Sequence, residues 1–487
     1  MTEKVKKKGL RIIDLIAISF SAIFALDSFA MAAAIGWQSI IFWIILALLF
    51  FIPYGLISSE LGSTYVDGGI NSWVRRVFGT RWAARTSWFY WLNVSIWMSA
   101  SYIVFAATIS YMFFDGTLTI WTQVAIAAGL TILTVLISLL KEEWLRYIPN
   151  SSSIAKVIVT LLLVVATIVF LAKGNGVSTP IDDPGMGIVP SWSTGLLFIL
   201  VIIYNLCGFE LGSNQVLSMK NPQKDIPKAT LVSGITIVVA YVIGTVAINI
   251  LVDVSDDFDI ANGLIVALGR GLPVWLTNTM GILLIYSLFG TMMTWVIGAN
   301  LGAVEAAEDD QLPIVFGSKF KPTGQPLGAS VLTGAISIVC LLIAGFTSKA
   351  GDTETGDLFE ALFSFQSVVF LIPYLLIFPS FYMLRKKDKE AERPFTIPGN
   401  KYVIFMITFV PFFLIIAALF LLTVGDLIIQ PEEGIDWAKS GMKLGFTIGG
   451  SLFSILVGEV LIRIAEKNVK KKSERQIKEK EQIQKGA

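Results

Sequence analysis

No histidine occurs among the 487 residues. That excludes histidine proton relays, histidine metal ligands and serine–histidine nucleophile pairs. Cysteine is almost as scarce. Cys207 and Cys340 both lie in apolar runs, which implies neither a disulfide framework nor a thiolate metal site. Charged residues make up 15% of the chain, against about 25% in soluble domains, so the chain is not an ordinary soluble one. A net charge of +1 gives no case for nucleic-acid binding. No phosphate-binding loop or ATP motif is present. The chain is therefore not expected to be an enzyme or to need a cofactor. Any work it does must be driven by gradients or by exchange. No cleavable signal peptide is expected either, because MTEKVKKKGLR leads straight into a long apolar run without an A-x-A site.

Long hydrophobic stretches are abundant instead. Apolar residues make up 55% of the sequence and its mean hydropathy is +0.73. Twelve runs approach the ~20 residues a bilayer needs. They fall at about 12–35, 39–60, 86–114, 119–140, 150–172, 193–219, 229–252, 274–306, 329–347, 359–384, 402–424 and 442–464. The expectation is an all-α polytopic membrane protein with 12 transmembrane helices. Residues 1–11 form a short N-terminal segment, 12–464 one membrane domain and 465–487 a charged tail, as a solvated helix or disorder.

An even number of spans puts both termini on one side. Connections on that side carry Lys4, Lys6, Lys7, Lys8, Arg11, Arg75, Arg76, Arg81, Arg85, Lys141, Arg146, Lys220, Lys224 and Lys228. The opposite loops hold acids such as Asp115, Asp182, Asp183, Asp253 and Asp352, with few lysines. By the positive-inside rule both termini are expected in the cytoplasm, with the protein in the cell membrane.

Two spans carry a carboxylate in mid-run. Span 6 contains LVIIYNLCGFELGSNQVLSMK, with Glu210 between Gly208 and Gly212 and with Asn205 nearby. Span 1 reads IAISFSAIFALDSFAMAAAIG, with Asp27 among small residues. A carboxylate in hydrocarbon costs at least a few kcal/mol, and two glycines weaken the helix that holds it. A span broken around a carboxylate at mid-depth reads as a transport site. Ser19, Ser21 and Ser28 are placed to recapture backbone groups if span 1 opens. The competing readings are close helix packing at the glycines and carboxylates satisfied within the protein. Spans 1 and 6 are five apart and so run in opposite directions. That spacing predicts a 5+5 inverted repeat, about 12–172 against 193–384, with helices 11 and 12 (about 402–464) outside it. Lys156 lies one and a half turns inside span 5. It either snorkels to the interface or serves the site. The segment after span 2, ELGSTYVDGGINSWVRRVFGTRWAART, suits an interfacial amphipathic helix.

These segments resemble the amino acid–polyamine–organocation (APC) superfamily. The pattern of an aromatic, then G-[VF]-E, then a basic N-P-x-x-x-x-P-x-A stands here as Tyr204, Gly208-Phe209-Glu210 and Asn221-Pro222 through Pro227-Lys228-Ala229. The span 2 ending is similar to the glutamate:GABA antiporter branch, and Glu392 to Gly399 is a familiar junction before span 11. The resemblance implies a leucine-transporter-like fold whose broken helices 1 and 6 hold the substrate, with transport by alternating access. Tyr204 and Trp295 fall where the arginine–agmatine antiporter branch packs aromatics on its substrate, which suits cation–π contact. The alternative is that they are ordinary core aromatics. Glu210 falls on a glutamate tied there to gating and proton sensitivity. Lys156 falls near a span 5 lysine that stands where sodium-coupled relatives bind Na⁺, so no metal is expected.

The stretch FSAIFALDSF lacks the Gly-x-Gly turn that most members of the superfamily have in span 1. Asp27 instead puts a negative charge near that turn, which favours a substrate with a cationic amine. The expected substrate-binding set is Asp27, Ser28, Tyr204, Asn205, Phe209 and Trp295. Trp97, Met98 and Tyr102 on span 3 and Phe365 on span 10 are added as walls by span position, and Glu210 and Lys156 as gating or proton-coupling residues. Two readings of function remain. One is an antiporter exchanging an amino acid or amine precursor for a cationic amine product. The other is a proton-coupled importer of neutral amino acids. A third, a non-transporting membrane sensor or assembly subunit, predicts no ligand-dependent flux. The expected partners are a small amine or amino acid and the lipid bilayer, with a homodimer left open.

Overall fold

The structure is a computed structural model that describes residues 11–26, 28–67, 69–114, 116–191, 202–213, 219, 221–254, 258, 260, 262–350, 355–428, 441 and 443–485. Among these no strand forms, and Lys319 and Pro326 make an isolated bridge.

The chain opens with α1 (Ile12–Ile23) and α2 (Ser28–Ala33), separated by a non-helical turn. Helix α3 (Gln38–Thr64) follows, with one π-helical turn at Ala47–Phe51. Its cause is local: Pro53 has no N–H to give to the carbonyl four residues back, so the preceding turn widens. Then come α4 (Ile70–Phe78), α5 (Thr80–Phe114), α6 (Ile120–Ser138) and α7 (Glu142–Ala172). After a gap in the described residues, 202–205 are helical and a break precedes α8 (Glu210–Ser213). Helix α9 (Pro222–Leu251) starts with Asn221 as its cap and a proline in the first turn, where a missing N–H costs nothing. It is followed by α10 (Gly263–Gly271), α11 (Val274–Glu308), α12 (Leu327–Ala350), α13 (Thr355–Leu371), α14 (Tyr374–Lys387), α15 (Lys401–Ile428) and α16 (Gly450–Lys485). The charged tail is thus helical through Lys485, continuous with the last span.

Ten helices among the described residues are long and apolar enough to cross a membrane, counting α13 and α14 as one. The expected runs 12–35 and 193–219 are the two outside that count. The first is interrupted between α1 and α2. The second lies partly outside the described residues and breaks in the part that is described. The outward faces invert the pattern of a soluble protein. Leu48 and Ile52 on α3, Leu231 and Ile235 on α9, and Leu452 and Leu456 on α16 are exposed at four-residue spacing. An apolar stripe turned outward suits lipid, with the core buried behind it.

At the bundle end where α3 finishes, Glu60 is buried and paired with Arg385 of α14 at 2.7 and 2.5 Å. The N–H of Ile397 donates to the same carboxylate at 2.8 Å, which pins the 388–400 connection under α3. Tyr65 donates to Asp388 at 3.0 Å. Burial, and then this carboxylate, push its phenol up to about 12. Helix α4 is amphipathic as expected, but its apolar face meets protein rather than lipid. Trp73 is fully buried there, and Asn71 donates to Gln311 at 2.6 Å. At the other end the N–H groups of Met186 and Gly185 donate to Asp183 and hold its carboxyl below the usual range.

Candidate functional site

The site is assembled at the two helix breaks. When a helix stops, its last four carbonyls lose their partners. Helix α1 stops at Ile23, and each of its four freed carbonyls is taken by a side chain. The Lys156 ammonium donates to Ser21 O at 2.7 Å and also to Phe24 O. Trp295 Nε1 donates to Ala22 O at 3.0 Å, and the Tyr241 hydroxyl to Ile23 O at 2.7 Å. Tyr241 also accepts from Ala25 N at 3.0 Å. Lys156 is 1% exposed. It does not snorkel; it spans from α7 to the break. The serines do not take this part. The Ser21 hydroxyl meets Thr294 at 3.0 Å, and Ser28 Oγ, buried at the start of α2, has no hydrogen-bond partner among the described residues. Asp27 lies outside the described residues, immediately after Leu26 in sequence.

The second break runs over Cys207 to Phe209. Gly208 has φ +133°, a conformation that side chains rarely adopt, and a Cβ there would press on Ile23 and Trp295. Here N–H groups are freed instead. Gly208 N and Glu210 N both donate to the Tyr54 hydroxyl, at 3.0 and 3.4 Å.

Glu210 is fully buried. Tyr90 of α5 and Tyr374 of α14 both donate to its Oε1, at 2.8 and 2.6 Å. Its Oε2 has no hydrogen-bond partner, and it makes no ion pair among the described residues. Glu210 therefore joins three elements through neutral phenols. That leaves its own charge uncompensated when ionised, a costly state at this depth.

Aromatic rings close around these breaks. Phe370 of α13 lies at the centre, 5.2 Å from Tyr204, 5.3 Å from Trp295 and 5.1 Å from Tyr374 between ring centroids. Trp97 is edge-on to Trp295 at 5.9 Å. The Tyr204 hydroxyl donates to Gln366 at 3.3 Å, and Asn205 O faces the Tyr241 hydroxyl at 3.4 Å.

Tyr204, Trp295, Trp97, Asn205, Glu210 and Lys156 are thus brought together, with Ser28 at the first break. Three of the expected residues point elsewhere, two that were placed by span position and one from the span 6 motif. Tyr102 turns to α6, where its hydroxyl pairs with Thr134. Phe365 packs beside Gly450 of the last span. Five residues along a helix turn the side chain by more than a third of a circle, so Phe370, not Phe365, faces the breaks. Phe209 stacks on Phe51 at 4.7 Å, against Gly55 of α3 and Gly234 of α9. Met98 is buried in the same core as Trp295. Sequence reasoning missed Tyr54, Tyr90, Tyr241, Tyr374 and Phe370. A signal existed for the tyrosines, since a hydroxyl in an apolar span needs a partner, but their partners belong to distant spans.

Residues 10–433 match the amino acid permease family. A probable agmatine/putrescine antiporter of Lactococcus lactis is 32% identical over 446 residues, covering 91% of this chain and 92% of that protein. A glutamate/gamma-aminobutyrate antiporter of the same species is 22% identical, covering 86% of this chain and 84% of that protein. The crystal structure of the Eremococcus coleocola manganese transporter superposes with a TM-score of 0.59 at 13% identity, over 96% of this chain and 97% of that one. That likeness is one of fold alone.

Proposed function

The chain belongs to the amino acid permease family, a multi-pass membrane transporter family of the APC superfamily, and from that premise we propose that it is an antiporter for a cationic amine. It would exchange an amino acid or amine precursor for an amine product by alternating access. The observation that carries this reading is the occupation of the α1 end. All four freed carbonyls are already held by protein donors, two of them by the Lys156 ammonium. A substrate amine must therefore find its counter-charge elsewhere, and Asp27 follows that turn in the sequence. The faces of Tyr204, Trp295 and Phe370 then suit cation–π contact, worth ~0.5–2 kcal/mol. An L. lactis relative described as a probable agmatine/putrescine antiporter favours the same substrate class.

Alternating access would rest on a 5+5 inverted repeat, which several pairings support. Both breaks are followed by a long helix, α3 and α9. Each of these is followed by a short helix of nine residues, α4 and α10. Each short helix precedes a helix of 35 residues, α5 and α11. Counting the two broken runs as spans beside the ten candidate spans among the described residues would give twelve. Both termini would then lie in the cytoplasm, a reading that the lysine- and arginine-rich connections support. In this scheme Glu210, between phenols of α5 and α14, carries the proton response and takes part in gating.

Proteoliposomes test the proposal with a panel of amino acids, their decarboxylation products, agmatine and putrescine. Exchange predicts uptake only with substrate inside. Uptake driven by a pH gradient alone would overturn it in favour of proton-coupled import. Asp27→Asn is expected to weaken cationic substrates by about tenfold or more, the loss of one charged hydrogen bond, and zwitterionic ones far less. Equal loss for both would remove Asp27 from the ligand.

A further inference from the structure

A cavity of about 770 Å³ opens on the outer face of the bundle between α3 and α9. It does not belong to the break-centred site. Its long walls are apolar, formed by exposed residues such as Leu48 and Ile52 on one side and Leu231 and Ile235 on the other. The polar groups concentrate at one end. There Lys224 and Lys228, one turn apart in the first part of α9, line the cavity with Gln223. Both lysines are exposed, and neither makes an ion pair among the described residues. The pinned 388–400 connection closes this end with Phe395.

Two like charges a turn apart repel each other on a bare helix. An apolar trough ending in such a pair, at the edge of a membrane-spanning helix, is complementary to one kind of molecule. That molecule has a negative head and a hydrocarbon tail. A free phosphate would leave the trough unused. A second copy of the chain would have to set a carboxylate against the lysines and an apolar helix face along the trough at the same time.

The inner wall of the trough is Phe209. Its ring stacks on Phe51 and is admitted by two glycines. A Cβ on Gly55 or Gly234 would come within 3.2 or 3.3 Å of that ring. Phe209 is also the residue between Gly208 and Glu210 in the second break, so the trough backs directly onto that break.

We propose that this trough binds an anionic phospholipid, its phosphate on Lys224 and Lys228 and an acyl chain along α3 and α9 against Phe209. Bound lipid steadies the Phe51–Phe209 stack and thereby the broken stretch behind it. The site is separate from the amine pocket and stands whether the protein exchanges or imports.

The probes are phosphatidylglycerol, zwitterionic phosphatidylcholine and inorganic phosphate, added to detergent-purified full-length protein. Native mass spectrometry reads retained lipid, and thermal unfolding reads Tm. Phosphatidylglycerol is expected to be retained and to raise Tm, while phosphatidylcholine and inorganic phosphate do neither. Lys224→Gln/Lys228→Gln should weaken phosphatidylglycerol binding by about ten- to thirtyfold, the loss of two lysines near a lipid surface. Ile235→Trp, at an exposed position, should fill the trough and abolish retention with both lysines intact. Equal retention of the two lipids, undiminished binding in the double-lysine variant, or an equal Tm rise from inorganic phosphate would each overturn the proposal. So would a homodimer cross-linked through Leu231→Cys that forms equally with and without phosphatidylglycerol, since a second copy would then occupy the trough.

Discussion

Tyr54 and Tyr241 do complementary work on opposite breaks. Tyr54, on the helix after the first break, accepts the N–H groups of Gly208 and Glu210 at the second. Tyr241, on the helix after the second break, donates to Ile23 O and accepts from Ala25 N at the first. Both are fully buried. Each phenol holds backbone groups freed at a break, and each crosses from one half of the chain to the other. Tyr54→Phe and Tyr241→Phe are each expected to lower stability by about 1–3 kcal/mol, the cost of leaving buried backbone groups unpaired. Thermal unfolding in detergent reads the loss as a lower Tm. Both variants should also slow transport to a similar degree. A silent Tyr241→Phe beside a damaging Tyr54→Phe would break the equivalence.

Lys156 holds two of the four freed α1 carbonyls. Lys156→Met keeps most of the side-chain volume but strands Ser21 O and Phe24 O. The expected outcome is a marked fall in transport at every pH, with the shape of the pH profile unchanged. A profile that changes shape in this variant would instead make Lys156 a proton carrier.

Glu210 gives the opposite expectation. Glu210→Gln keeps the size of the side chain and leaves an oxygen for Tyr90 and Tyr374 to donate to. Folding, read by Tm, should be retained. The pH dependence of transport should flatten, because the one buried carboxyl joining α5, α8 and α14 no longer titrates. Transport assayed across the pH range checks this, and an unchanged profile would remove Glu210 from the proton response.

Much of the membrane architecture was legible in composition and run length. Hydrocarbon demands long apolar helices whatever their partners, so ten of the twelve runs appear as continuous candidate spans. The breaks were legible too, since Gly208 and Gly212 around Glu210 and the polar residues around Asp27 contradict their apolar surroundings. The walls of the site were not. Phe365 and Phe370 are identical residues five apart on one helix, and only the neighbouring helices decide which of them faces inward. Phe209 illustrates the same limit. Its place in the motif suggested the pocket, yet Gly55 and Gly234 on two other helices open a slot for it on the lipid side.

Local chemistry is thus what the sequence determined: where the backbone leaves the helix, and which charges are costly enough to need a reason. It did so because helix length, glycine and buried charge act within a few residues. The tertiary structure alone decided who answers those needs. Freed carbonyls at Ile23 and freed amides at Gly208 attract any donor or acceptor within reach. Reach is set by how helices more than a hundred residues apart pack together, which no local pattern encodes.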